Sequence, residues 1–275
     1  METKEQIILK YSKRNMNILY EELKDKIYLS KIAYSIWNLE RGNVLIITGF
    51  YVNGHAETDG PIGAYFLAKA LKSIGFNPII ISDFHCERFF SFDEEVNTII
   101  LPIEIDVETI RDLIVQYSPV SMISIERCGR NNEGLYCNMR EVDISNKTAP
   151  LDIFFMEANC LTIGIGDGGN EIGMGNLYNL IKEKLSDIEP SVIACDFLII
   201  STTSNWGAYG LISQLSELAN KDLLPVFVTV KNYLNYLIEL GSVDGLSGKN
   251  EPLVDGFDIE TDYSIVEQLR NSSKS

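Results

Sequence analysis

The sequence predicts an α/β protein: a mainly parallel sheet with helices on both faces and a helical lead-in at the N-terminus. Three observations predict it. Short β-branched apolar runs alternate with amphipathic stretches along most of the chain. The runs are apolar throughout rather than alternating, as strands buried on both faces require. The residues capable of chemistry gather just past the ends of those runs, where open α/β sheets carry their sites.

Residues 1–40 form the lead-in, because LYEELKDKIYLSKIAYSIWNL places apolar residues at mixed three- and four-residue spacing. Residues 41–265 hold the α/β domain, and 266–275 are expected as a tail ending in NSSKS. Strands are expected at 43–50 (NVLIITGF), 77–82 (NPIIIS), 98–103 (TIILPI), 120–126 (VSMISIE), 161–166 (LTIGIG), 196–202 (DFLIIST) and 225–230 (PVFVTV). Helical patterns fall between them at 63–76, 108–117, 151–160 and 205–220. No repeat and no low-complexity linker divides the chain, so one domain is expected, with loops 51–61, 126–145, 166–176 and 203–208 at one end of its sheet.

Lys and Arg number 23 against 39 for Asp and Glu, a formal charge of −16. That balance repels nucleic acid and anionic lipid, so neither is an expected partner. No apolar run approaches the roughly 20 residues of a membrane helix. The start, METKEQ, lacks the basic and apolar regions of a signal peptide, and a cytoplasmic location is expected. The five dispersed cysteines form no CxxC pair and the two histidines are too few for a histidine-rich site, which argues against structural zinc. A homo-oligomer remains compatible with all of this.

Residues 162–176, TIGIGDGGNEIGMGN, admit two readings. Gly164, Gly166 and Gly169 spell the GxGxxG of a dinucleotide turn. That turn needs an acid about twenty residues on, at the end of the next strand. Asp187 and Glu189 have nearly that spacing, but they precede Pro190 and the next strand has not begun. Asp167, within the turn, would also face the phosphates. The better account is that the glycines let the backbone approach a small polar ligand, with Asp167, Asn170 and Glu171 reaching into the site.

Glu57 and Asp59 follow the first strand and Glu126 closes the fourth. Asp59 alone could be read as the cap of the helix after it, but that leaves Glu57 unexplained. Together Glu57, Asp59, Glu126, Asp167 and Glu171 form an oxygen-only ligand set. It suits a divalent cation, Mg²⁺ or Mn²⁺, and the absence of histidine or thiolate partners counts against zinc. Arg127, Arg130 and Arg140 lie in one Gly- and Asn-rich loop, where arginine forks could grip a carboxylate or phosphate. Ser204 or Asn205 caps the helix after the sixth strand, with Trp206 at the rim.

ETDGPIGA, ERCGRNNEGLYCNMREVDIS, GIGDGGNEIGMGN and TTSNWGAYG, in this order, resemble the D-glutamate cyclase C-terminal-domain family. The resemblance spans about residues 40–260 and takes in the repeated VDG that holds Asp244 and Asp255. It implies an α/β fold, acidic divalent-metal binding and cyclisation of D-glutamate to 5-oxo-D-proline with loss of water. In that reading Glu57, Asp59, Glu126, Asp167 and Glu171 supply metal ligands and the catalytic base. Arg127, Arg130 or Arg140 fixes the α-carboxylate of a small acidic substrate, and Asn170 or Asn205 orients the rest. Two departures stand out: Cys128 and Glu141 replace the proline and glycine of the family's ERPGR and NMRG. The alternatives are a metal-dependent phosphatase using the same acids and arginines, and a protein that binds an acidic metabolite without turning it over.

Overall fold

The computed structural model describes residues 2–93, 96–185 and 188–273, so Asp187 and the last two residues of the expected tail lie outside the described residues. After β1 (Asn43–Thr48) the chain makes a small antiparallel hairpin, β2 (Tyr51–Val52) and β3 (His55–Ala56). The remaining strands are β4 (Asn77–Asp83), β5 (Asn97–Leu101), β6 (Ser121–Ile125), β7 (Leu161–Gly166) and β8 (Phe197–Ile200). They join β1 in one six-stranded sheet of order β5-β4-β1-β6-β7-β8, with every pairing parallel. The order reverses between β1 and β6, and a crevice at their carboxyl ends is where such sheets place ligands.

Three short helices open the chain: α1 (Lys4–Ile8), α2 (Met16–Glu22) and α3 (Leu29–Trp37). The others are α4 (Pro61–Ser73), α5 (Val107–Tyr117), α6 (Ile153–Met156), α7 (Tyr178–Lys184), α8 (Ser204–Ala219), α9 (Phe227–Glu239) and α10 (Ile259–Ser272). None among the described residues is long and apolar enough to cross a membrane.

The two faces of the sheet bury separate cores. Val44 and Ile46 of β1, with Ile80, Ile123, Ile163 and Ile199, pack under α4 and α8. Leu45 and Ile47, with Ile79, Ile81 and Met122, pack with Ile110 of α5 and Phe154 of α6. Side chains alternate across a strand, so an unbroken apolar run is what two covered faces need. Each fully buried isoleucine contributes roughly 1.5–3 kcal/mol.

The N-terminal segment is part of the first core. Ile7 and Ile8 are buried, and the Thr202 amide and hydroxyl donate to the carbonyls of Ile8 (2.9 Å) and Lys10 (2.7 Å). Helix α10 likewise runs across the boundary expected at 266, with Val266 and Leu269 buried.

Two expected elements differ. PVFVTV forms no strand, because α9 begins at Phe227. Its β-branched composition mimics a strand, yet the buried residues Val230, Tyr233, Leu234 and Leu237 follow helical spacing while Val226 and Val228 are exposed. The helix expected over 151–160 is a single turn, α6.

Helices α4 and α8 pack closely beside β1 and β7 because Gly63 has no side chain; a Cβ there would lie 2.9 Å from that of Ala208. That approach carries the loop after β3 onto the start of α8, where the acids converge.

Candidate functional site

Each acid reaches the crevice by its own local device. Asn53-Gly54 makes the tight turn of the β2–β3 hairpin, with φ of 50° and 98°, and so returns the chain to deliver Glu57. The Glu57 carboxylate can then lie against Gly245, occupying the space a Cβ would need. Asp59 does not cap α4, which has Gly60 before Pro61. Its carboxylate instead accepts from the amides of Ser204 (2.7 Å) and Asn205 (2.8 Å), at the positive end of α8.

Glu126 leaves β6 with φ of 46°. A left-handed residue other than glycine costs roughly 1–2 kcal/mol, held here by the bond from Ser204 Oγ to Glu126 Oε2 (2.5 Å). Glu171 folds back over its own turn and accepts from the amides of Gly168 (2.8 Å) and Gly169 (2.7 Å). The glycines after β7 therefore cradle a carboxylate of the chain itself.

A sixth acid and a cation complete the group. Asp255 and Gly256 occupy a tight turn with φ of 50° and 74°, closed by reciprocal bonds between Val254 and Phe257 (2.9 Å each). Asp244, of the other VDG, braces that turn by accepting from Gly256 N (2.7 Å). Arg14, between α1 and α2, forks onto Asp255 at 2.6 and 3.0 Å and also reaches Asp167 Oδ2. The sequence points to Asp255 only through the family resemblance and does not point to Arg14. The Asp-Gly pair was a local signal for the turn, whereas nothing near Arg14 in sequence says where its guanidinium goes.

Six buried carboxylates thus face one arginine. Burial pushes Glu57 well up, as do Asp255 and Asp59 next to it. Burial and then the Asp255 carboxylate push Asp59 up to about 8, against the amides of Asn205 and Ser204. Burial raises Glu126, with Glu171 and Glu57 adding to it, and raises Asp167, where Arg14 opposes it. Burial also raises Glu171, against its two glycine amides. For Asp255 alone, burial is outweighed by Arg14 and the carboxyl is held low.

Oxygens of Asp59, Asp167 and Asp255 lie within 4.8 Å of one another, and so do oxygens of Glu126, Asp167 and Glu171. Asp167 Oδ1 is buried without a hydrogen-bond partner among the described residues. Excess buried negative charge with an orphaned carboxylate oxygen is what a hard cation relieves, so these residues fit Mg²⁺ or Mn²⁺.

The arginines separate. Arg127 is fully buried, paired with Asp83 at 2.7 Å and donating to the carbonyls of Gly49 (2.8 Å) and Ala149 (2.6 Å). Arg130 forks onto Asp152 at 2.7 and 2.9 Å. Both forks, expected on a substrate, are engaged here by Asp83, Asp152 and backbone carbonyls. Arg140 is exposed, its side chain makes no hydrogen bond or ion pair among the described residues, and it borders the crevice.

Asn205 is also a brace: its Oδ1 accepts from Gly60 (2.9 Å) and Gly63 (2.7 Å). Asn170 Nδ2 donates to Cys137 O (2.8 Å), leaving a buried Oδ1 with no partner among the described residues. Trp206 lies buried, not at the rim, and donates to Asp262 (2.8 Å).

The crevice above the acids holds about 120 Å³ and is walled by Arg14, Glu57, Glu126, Asn138, Arg140 and Gly245 among others. A larger cavity of about 510 Å³ shares Asn138 and Met139 with it but contains none of the six acids. The smaller one is the candidate site, because Glu57 and Glu126 of the six acids line it.

The family described as D-glutamate cyclase-like, C-terminal, has a model that matches residues 6–270. The mitochondrial D-glutamate cyclase of Homo sapiens is 30% identical over 201 residues, covering 63% of this chain and 32% of that protein. The chain spans about a third of that relative's length.

Proposed function

The chain belongs to the D-glutamate cyclase-like C-terminal family, and from that premise we propose that its acid crevice converts D-glutamate to 5-oxo-D-proline and water. What carries the reading is that the family match, over 6–270, takes in Arg14 and all six clustered carboxylates.

Glu126, Asp167 and Glu171 would hold Mg²⁺ or Mn²⁺, with Asp167 Oδ1 gaining the partner it lacks. Such an ion supplies Lewis-acid polarisation of a substrate carboxylate. Glu57 lies outside both acid trios and faces the crevice, so it is the base that takes a proton from the α-ammonium. The freed nitrogen attacks the γ-carboxyl carbon, the C–N bond forms and one C–O bond breaks. Nitrogen gives up two protons in all and both leave on the departing oxygen as water. One carboxyl group that takes and returns protons therefore closes the balance. The crevice adds the folded, ring-closing posture of the substrate.

Arg140 is the fork available for the α-carboxylate. Arg140→Lys keeps the charge and loses the fork, so kcat/KM should fall by on the order of tenfold or more. An effect no larger than that of a change at Lys182, which pairs with Glu189 outside the acid crevice, would remove Arg140 from the site.

The test of the reading is a panel of D- and L-glutamate, 5-oxoproline and phosphate esters, each with Mg²⁺, Mn²⁺ or chelator. Metal-dependent loss of D-glutamate with appearance of the cyclic product is expected. Release of phosphate instead would favour the phosphatase, although that chemistry has lost the forks of Arg127 and Arg130 to Asp83 and Asp152. Binding of D-glutamate with no turnover under any condition would leave a metabolite-binding protein.

A further inference from the structure

Asp167 belongs to both acid trios, yet its two oxygens have opposite fates. Oδ2 is taken by Arg14, while Oδ1 is buried and unpartnered. The trio of Asp59, Asp167 and Asp255 therefore already holds a cation, the guanidinium. The trio of Glu126, Asp167 and Glu171 does not.

The guanidinium is held in place. Lys13 donates to Asp255 O (2.9 Å) and lies over the Phe257 ring at 3.7 Å, while Asn15 takes a left-handed conformation with φ of 60°. Upstream, the carbonyls of Ile8 and Lys10 are tied to Thr202. The strap carrying Arg14 is anchored before it by these contacts and after it by Met16 and Leu19 of α2, which are buried.

A divalent ion on those oxygens would lie roughly 2.0–2.2 Å from each. Arg14 Nη1 stands 2.6 Å from Asp255 Oδ2, so ion and guanidinium would overlap and repel. The two cannot share the trio.

We infer that Arg14 stands in for a second metal ion, so that a site with carboxylates for two divalent cations takes only one. The inference rests on the metal-binding reading above and adds to it a stoichiometry and the residue that sets it. Two-metal sites use a shared carboxylate between ions about 3.5–4 Å apart. Here Asp167 is the shared carboxylate, with one of the ions replaced by a side chain that cannot be removed by chelation.

The experiment is a calorimetric titration of the full chain with Mn²⁺, for the wild type, Arg14→Met and Arg14→Gln. The wild type should bind one equivalent and both variants two. Metal-free melting temperatures of the variants should be lower, and Mn²⁺ should raise them by more than it raises the wild type. A variant that does not fold without metal is refolded in Mn²⁺, desalted and assayed for bound metal, where two ions per chain are again expected. One ion in folded variants, or two in the wild type, overturns the inference and leaves the metal site standing. Failure of both variants to fold even in Mn²⁺ also overturns it, because a second ion should replace the missing charge. No binding by the wild type would overturn the metal reading itself.

Discussion

Arg127→Met should lower the unfolding free energy by about 3–5 kcal/mol, the loss expected when one partner of a buried ion pair is removed. Asp83, 2% exposed, would lose its buried partner, and the carbonyls of Gly49 and Ala149 would lose their donor. Those groups tie β1, β4 and the 149–152 turn together beneath the crevice. Arg140→Met should change stability by no more than about 0.5 kcal/mol, because it removes an exposed side chain. Urea denaturation of both variants makes the comparison. A small loss for Arg127→Met, equal to that of Arg140→Met, would return Arg127 to the groups available for substrate.

Glu57→Gln should leave Mn²⁺ affinity within a few fold of the wild type and slow turnover of D-glutamate by about 10²–10⁴-fold, the usual contribution of a positioned base. The amide is nearly the same size and cannot take a proton. Folding should not suffer, since the change removes one charge from a group where Asp255 and Asp59 already work against it. Unchanged turnover would move the base to another carboxylate. A loss of Mn²⁺ binding would instead make Glu57 a ligand.

The legible part of this protein was the part written in local pattern. Apolar runs such as NVLIIT and LTIGIG marked six of the sheet's strands, and the acids at their carboxyl ends marked the crevice. The run PVFVTV misled because composition and period disagreed there, and the period of α9 won. Arginine roles were not legible. Arg127, Arg130 and Arg140 share one loop, and only tertiary partners distant in sequence, Asp83 and Asp152, distinguish a buried staple from a free fork. Arg14 was the least visible, since its partners Asp167 and Asp255 lie far along the chain. Asn205 shows the same limit in reverse: in the first turn of α8, its side chain serves the scaffold by accepting from Gly60 and Gly63.

The most direct measurement of the central claim is Mn²⁺-dependent formation of 5-oxo-D-proline from D-glutamate, followed by proton NMR, for the wild type and Asp167→Asn. Asp167 is the carboxylate common to both trios and carries the unpaired oxygen. The account predicts product from the wild type with Mn²⁺, none in chelator, and none from a folded Asp167→Asn that no longer binds the ion. Product formed at the wild-type rate by folded Asp167→Asn, or formed equally in chelator, would contradict it.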